Sequence, residues 1–413
     1  MENLLNIIYA VILASWSFMY PNRFVLGYLI YVSSYLGWFS GDIMVGGIEY
    51  GQFFFNLLAL FPVIFAWRTI DTPLRTIILL LALFYLYGLV KPIIDGHQGW
   101  LLSVKSSKSM TTYFFLFYVL AFYNRLNWNL IFRFLTFVSL YYAMLYLING
   151  IGVSIRPPMY IKEHFIQCPY DSFLLLSLCY QLAQEDVFHL QRLTVIVLLL
   201  GGIYIGGYFS LMVSSWLIVL GMLVYRSIHH PAMVILWIGT FLLILLYGVA
   251  IDTTLMQLWG EQQSALESRS HYNEFRWALI AKEFLGGYGF LSRDTRLVSL
   301  NASGENSTYM MDLSFIDAGY VDLMGRFGLI GTILFLLFPL YFMTTSVWNR
   351  QTLPFLLLIL FFYVVNTTWS VFTFPHGIIV LAFVYAYLYQ NKKHYGKNLE
   401  CNIGSYADGR DHR

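Results

Sequence analysis

Residues 232–250 read Ala-Met-Val-Ile-Leu-Trp-Ile-Gly-Thr-Phe-Leu-Leu-Ile-Leu-Leu-Tyr-Gly-Val-Ala, and none of these side chains carries a charge. An α-helix rises about 1.5 Å per residue, so roughly 20 apolar residues cross the hydrocarbon layer of a bilayer, which is about 30 Å thick. This stretch therefore predicts a membrane-spanning helix.

Similar apolar runs recur along the chain, at residues 4–20, 24–39, 51–67, 74–90, 110–123, 130–149, 170–184, 192–207, 208–226, 232–250, 326–346, 353–368 and 372–390. The stretch 192–226 is either two spans or one broken span, so we predict about 12 or 13 helices. Of 413 residues, 59% are hydrophobic and 11% are charged. The sequence thus predicts an all-α, polytopic integral membrane protein.

Basic residues predict the orientation of the helices, because they concentrate in short cytoplasmic connections. The C-terminal tail is basic, and counting back through alternate connections places on its side Arg350, Arg226, Arg192, Arg125, Arg68 and Arg23. The loops 40–50, 91–109, 150–169 and 251–325 then lie outside. We expect a helix block at 1–250, a large outer loop at 251–325, further spans at 326–390 and a cytoplasmic tail at 391–413.

The large outer loop is rich in cations, with Arg269, Arg276, Lys282, Arg293 and Arg296, and with Arg326 at its exit. A shorter outer segment adds Arg156 and Lys162. One interpretation is that these side chains contact lipid headgroups or solvate a surface. The other is that they converge on a phosphate or pyrophosphate, which the guanidinium fork binds through paired hydrogen bonds.

The spacing of apolar residues from Glu267 to Phe284 predicts an amphipathic helix within this loop. Gly286-Gly287-Tyr288-Gly289 would end it, and this group forms either a turn or a backbone cradle for a phosphate. The spacing of Gly325, Gly328 and Gly331 predicts close helix packing where the chain re-enters the bilayer. Ionisable residues are nearly absent from the predicted spans, which argues against an ion-driven carrier.

Several motifs then resemble the O-antigen polymerase and O-antigen ligase superfamily of bacterial envelopes. They are Arg269, Arg276-Trp277, Phe284-Leu-Gly-Gly-Tyr-Gly-Phe290, Asp317-Ala-Gly-Tyr320 and Gly325-Arg-Phe-Gly-Leu-Ile-Gly331. The resemblance implies a GT-C-like fold in the bacterial inner membrane. It also implies metal-independent transfer of an oligosaccharide from a polyprenyl pyrophosphate carrier, with no cofactor, on the periplasmic face.

The resemblance and the charge pattern together give candidate roles. Arg269, Arg276 and Asp317 are the candidate catalytic residues, and the candidate pyrophosphate ligands are Arg156, Lys162, Arg293 and Arg326. Among the loop carboxylates Asp317 ranks first as a general base, because it precedes the re-entering helix. A helix cap is the structural alternative for Asp317.

Ligases of this superfamily carry a histidine near the start of the helix that follows the arginine loop, whereas residues 307–312 here contain none. This favours a polymerase that moves a growing glycan from undecaprenyl pyrophosphate to the terminal sugar of a lipid-linked repeat unit. The alternatives are an O-antigen ligase acting on lipid A core and, in another class, a lipid-linked oligosaccharide flippase or transporter. The expected partners are the lipid-linked oligosaccharide, membrane lipids, a chain-length regulator and a flippase, with no nucleic acid.

Overall fold

A computed structural model describes residues 2–33, 44–45, 48–49, 51–150, 160–162, 165–167, 172–206, 209–251, 276–292, 318–367 and 370–408. Within these ranges the chain is almost entirely helical. The helices are α1 (Glu2–Met19), α2 (Pro21–Ser33), α3 (Gly51–Phe65), α4 (Thr72–Ile94), α5 (Trp100–Ser106), α6 (Thr112–Ala121), α7 (Trp128–Gly150), α8 (Ser172–Ala183), α9 (Leu190–Ile205), α10 (Phe209–Arg226), α11 (Pro231–Ile251), α12 (Gly319–Thr345), α13 (Leu353–Val365) and α14 (Pro375–Asp408). Two short antiparallel hairpins pair β1 (Met44–Val45) with β2 (Ile48–Glu49) and β3 (Tyr160–Lys162) with β4 (Phe165–Gln167).

A helix overlaps each of the apolar runs that the sequence indicated. The stretch 192–226 forms two helices, since α9 ends at Ile205 and α10 begins at Phe209. By length and composition, 3 helices among the described residues are long and apolar enough to cross a membrane: Thr72–Ile94, Trp128–Ile148 and Gly319–Thr345. Shorter apolar helices accompany them. These features are those of a helical membrane protein.

Helix α6 lies at the centre of the bundle, and all its side chains from Thr112 to Ala121 are buried. The ring of Phe115 stacks on Tyr28 with centroids 3.8 Å apart. Beside it the buried amide of Asn56 accepts a hydrogen bond from Tyr28 at 2.8 Å and donates to Thr111 and Thr112 at 3.0 and 3.3 Å. An apolar interior offers polar groups no water, so such mutual bonding is what makes Asn56 compatible with the core.

Connections rich in arginine and lysine meet at one end of the bundle. The contacts are Asn22 Nδ2 to the Arg125 carbonyl at 3.1 Å, Thr69 Oγ1 to the Ala121 carbonyl at 2.7 Å, and Lys393 Nζ to Asp71 Oδ1 at 2.5 Å. Arg226 donates to the carbonyl of Leu182 at 2.9 Å, and both Arg226 and Arg350 donate to that of Gln184. The connections that alternate counting placed on one face are therefore joined there.

The opposite end of the bundle brings together the end of α4, the segment 276–292 and the first half of α12. The N–H of Phe290 donates to the Gly88 carbonyl at 2.8 Å, and the N–H of Ser292 donates to the amide oxygen Oε1 of Gln98 at 2.8 Å. Gln98 of the predicted outer loop 91–109 and residues 276–292 of the predicted outer loop 251–325 thus share this end.

The predicted boundary at residue 326 is wrong by about two helical turns. Helix α12 begins at Gly319, so Asp322 and Arg326 lie inside it and are buried. The sequence estimate failed because it treated charged residues as loop residues, whereas here the two opposite charges pair within the helix.

Candidate functional site at the break in helix α12

The segment 276–292 has a defined local fold. Residues 276–280 are helical and Ala281–Glu283 form a 3-10 turn. Gly287 and Gly289 have φ of 68° and 74°, and the N–H of Gly287 donates to the Glu283 carbonyl at 2.8 Å. The prediction that the glycine group ends the helix is confirmed.

The glycine group holds a break in helix α12. At Gly328, φ is 61° and ψ is −167°, which interrupts the helical path. The N–H groups of Tyr288 and Gly289 donate to the carbonyls of Gly325 and Arg326, both at 2.8 Å. In return the N–H of Leu329 donates to the Phe284 carbonyl at 2.8 Å.

These bonds exclude the phosphate-cradle interpretation of the glycine group. The N–H groups of residues 287, 288, 289 and 290 all donate to protein carbonyls. A backbone cradle binds an anion only through N–H groups that lack protein acceptors. In this protein the motif instead satisfies the carbonyls and N–H groups that the break exposes, as an apolar environment requires.

The close approach of the two backbones explains the residue type at each position. A Cβ added at Gly287 would lie 2.5 Å from the Gly328 nitrogen, and one at Gly328 would lie 2.3 Å from the Leu285 carbonyl oxygen. A Cβ at Gly289 would lie 2.5 Å from the Gly88 carbonyl oxygen. The predicted close packing is thus present, and the loop as well as a neighbouring helix takes part in it.

Side chains at the end of α4 and just beyond it also bind the segment 276–292. Gln98 is buried, and its Nε2 donates to Ser103 Oγ at 2.8 Å and to the Phe290 carbonyl. Lys91 Nζ lies 2.8 Å from Asp95 Oδ2 and 3.4 Å from Glu283 Oε2. Because Glu283 is partly exposed, its pair with Lys91 contributes less than the buried bonds of Gln98.

Arg326 is buried inside α12 and paired with Asp322. Its Nε lies 2.7 Å from Asp322 Oδ1, and its guanidinium carbon lies 5.9 Å from the centroid of the Phe290 ring. The side chains of the two residues are 6% and 0% exposed. The predicted pyrophosphate ligand Arg326 therefore has an internal carboxylate partner in this structure.

Arg276 lies in the helical residues 276–280, which pack on the first turns of α12. Leu279 and Ile280 form one buried cluster with α12 and its first flanking residue, through Ala318, Val321 and Met324. The Tyr288 hydroxyl donates to the Leu279 carbonyl at 2.9 Å. Burial, and secondarily the Glu283 charge, raises the pKa of Tyr288. The helical residues that follow Arg276 thus pack on the turns of α12 that carry Asp322.

The remaining predicted site residues lie beyond what the structure describes. Arg269, Asp317, Arg156 and Arg293 fall outside the described ranges. The backbone of Lys162 lies in β3 opposite Phe165, and its side chain is outside the described part. Among the described residues no group of three or more His, Cys, Asp and Glu side chains is placed to hold a metal ion.

Sequence reasoning missed Asp322, Gln98 and Asn366 as members of this region. The spacing of Asp322 and Arg326 was a usable signal, because residues four apart on a helix face each other. Gln98 and Asn366 carry no such signal, since the segments they meet here, residues 290–292 and the start of α12, lie far away in sequence.

The chain was also compared with known proteins, with no match to any model of a protein family and none to any curated protein.

Proposed function

We propose that the protein is a membrane glycosyltransferase that polymerises lipid-linked oligosaccharide repeat units. It would transfer a growing glycan from undecaprenyl pyrophosphate to the terminal sugar of the next lipid-linked repeat, on the periplasmic face of a bacterial inner membrane. The motif resemblance and the absence of a histidine at 307–312 favour this activity over transfer to lipid A core.

One observation carries the proposal: a loop segment bearing Arg276 is locked onto a broken apolar helix that contains a buried arginine and aspartate. The same segment exposes Trp277, Phe284 and Leu285, the side-chain types found where protein meets the membrane interface. A lipid-linked substrate keeps its pyrophosphate at that depth, beside the headgroups. The arrangement therefore suits a lipid with an anionic head.

The chemistry requires stabilisation of a departing pyrophosphate. The bond between the anomeric carbon and the pyrophosphate oxygen breaks, and the electron pair stays on that oxygen. A new bond forms from the acceptor hydroxyl oxygen to the anomeric carbon, and the hydroxyl proton passes to a base. Arginines fixed in advance bind the developing charge more strongly in the transition state than in the ground state.

The test replaces Arg276 by Ala and by Lys and measures polymer length from purified lipid-linked repeat in proteoliposomes. We expect Arg276→Ala to slow polymerisation by roughly 10²-fold, as removal of one transition-state donor does, and Arg276→Lys to retain part of the rate. Arg133→Ala, which changes an exposed arginine of α7, is the matched control. Long polymer from both Arg276 variants at the normal rate would reject the role.

The same assay separates the two transferases. A polymerase makes a ladder from lipid-linked repeat alone, whereas a ligase needs lipid A core as acceptor. The lipid A arm of the assay should therefore leave the ladder unchanged.

A second candidate, a flippase for lipid-linked oligosaccharides, is favoured by one specific observation. The buried Asp322–Arg326 pair and the break at Gly328 both lie inside a candidate membrane span. Broken helices and paired intramembrane charges are frequent in transporters. A fluorescent lipid-linked repeat that crosses the proteoliposome membrane without forming glycosidic bonds would support this candidate over the polymerase.

A further inference from the structure

Two neighbouring side chains at the start of α12 are buried with hydrogen-bonding atoms unused. Asp322 and Asn366 are both 0% exposed. Asp322 Oδ2 and both amide atoms of Asn366, Oδ1 and Nδ2, have no hydrogen-bond partner within the described structure. By contrast, the buried Asn56 uses both its amide atoms.

Asn366, which follows α13, packs against the face of α12 that carries Gly319 and Asp322. A Cβ added at Gly319 would lie 2.0 Å from Asn366 Oδ1, so the Asn366 amide occupies the space where a side chain at 319 would start. Asp322 follows Gly319 by three residues, which places it on the same face of the helix, one turn further along. The N–H of Tyr320 donates to the Asn366 carbonyl at 3.3 Å, which fixes the end of α13 at this position.

The unused atoms form a complementary set. The Arg326 guanidinium already holds Asp322 Oδ1, so Asp322 Oδ2 remains as an acceptor only. The Asn366 amide offers two donors and one acceptor. A hydroxyl group donates one hydrogen bond and accepts others, so its chemistry suits both the carboxylate and the amide. A cation fits less well, because Arg326 already neutralises the carboxylate.

We propose that Asp322 and Asn366 bind a sugar hydroxyl of the lipid-linked substrate. This inference rests on the proposed function and assigns to Asp322 and Asn366 the recognition of the acceptor sugar. Unpaired polar groups destabilise a buried site, and they are kept where a ligand completes their bonding. Asp322 and Asn366 contribute binding and orientation of the acceptor sugar, while the arginines act on the pyrophosphate.

The first experiment measures thermal unfolding in detergent. Asn366→Leu keeps the branched shape of the side chain and removes its amide, so we expect an unchanged or raised Tm. Asn56→Leu is the matched control and should lower Tm, because that amide is fully bonded. A clear fall in Tm for Asn366→Leu would overturn the inference, since it would show that the amide has a structural partner such as a buried water.

The second experiment adds ligand. Polyprenyl pyrophosphate carrying the oligosaccharide and the same lipid without sugar are each added to the wild type, to Asn366→Leu and to Asp322→Asn. We expect the sugar to raise the Tm of the wild type further than the bare lipid does, and this extra shift to vanish in Asn366→Leu. Asp322→Asn retains an oxygen for Arg326 and should raise KM for the acceptor at least tenfold.

The outcomes separate this inference from the proposed function. A sugar-dependent shift that needs Asn366, in a protein that forms no ladder, would keep the sugar subsite and reject the polymerase. A normal ladder with unchanged acceptor KM in Asn366→Leu would reject the subsite and keep the polymerase.

Discussion

Gly289 packs directly against the backbone of α4. Its φ of 74° lies in the left-handed region, and a Cβ there would lie 2.5 Å from the Gly88 carbonyl oxygen. Conformational preference and space therefore both require glycine. Gly96, with φ of 70°, has no atom within 4 Å of the position that a Cβ would take. A substitution at Gly96 therefore measures the cost of the left-handed backbone alone.

We expect Gly96→Ala to cost about 1 kcal/mol, the penalty of a left-handed backbone for an L-residue. Gly289→Ala should cost about 1–3 kcal/mol more, because the backbone of α4 must move. Chemical unfolding of the two variants in detergent measures the difference. Equal losses would show that the loop does not press on α4 as described.

Asp322 and Arg326 form a buried ion pair within α12. Removing one partner of a buried ion pair leaves an uncompensated charge, so Asp322→Ala should destabilise the protein by about 3–5 kcal/mol. The double variant Asp322→Leu with Arg326→Met should recover most of that loss, since apolar residues of similar size often replace buried pairs at little cost. A double variant no more stable than the single one would contradict this account.

At the scale of elements, the loop segment 284–292 is an irregular turn that packs against a broken helix. It bonds to α12 on one side and to the end of α4 on the other, through Gly88 and Gln98. Helix α12 can leave its regular path at Gly328 only because the loop supplies the missing hydrogen bonds.

Gln98→Ala tests how this segment is held. The change removes the acceptor of the Ser292 N–H and the donor to the Phe290 carbonyl, so local opening should become easier by about 1–3 kcal/mol. Hydrogen exchange followed by mass spectrometry should show faster exchange in 286–292 and unchanged exchange in α6. Glu283→Gln is the control, because loss of its partly exposed pair with Lys91 should change exchange little. Uniformly faster exchange throughout the bundle would mean that Gln98 supports the whole fold rather than this segment.

At the scale of the whole molecule, the contacts divide the connections between two ends of the bundle. The end with Lys393, Asp71, Arg226 and Arg350 is the one that the distribution of basic residues assigns to the cytoplasm. The end with Gln98 and Glu283 is opposite.

Single cysteines at Glu283 and at Asp186, in a background whose three native cysteines are replaced, test this division. Both positions are accessible. We expect a membrane-impermeant maleimide added outside intact spheroplasts to label only the Glu283→Cys variant. Asp186→Cys should react only after the membrane is opened. Labelling of both variants from the same side would overturn the topology.

The sequence by itself determined the helical membrane class, the approximate positions of the helices and the grouping of the basic connections at one end of the bundle. These features follow from the length of apolar runs and the distribution of charge, which are local along the chain. It also located the end of the helix at the group Gly286-Gly287-Tyr288-Gly289, because a glycine group that ends a helix is a local signal in the sequence.

Only the tertiary structure decided what the glycine group does. The N–H of Gly287 donates to the nearby Glu283 carbonyl, whereas those of residues 288–290 donate to the carbonyls of Gly325, Arg326 and Gly88. These three acceptors are distant in sequence, so nothing in the motif itself predicts them. Only the tertiary structure also decided that Asp322 and Asn366 are buried. Along the chain, a charged aspartate and a polar asparagine look like loop residues. Hydrogen bonds and burial between distant segments depend on how the helices pack, and packing is a property of the whole bundle.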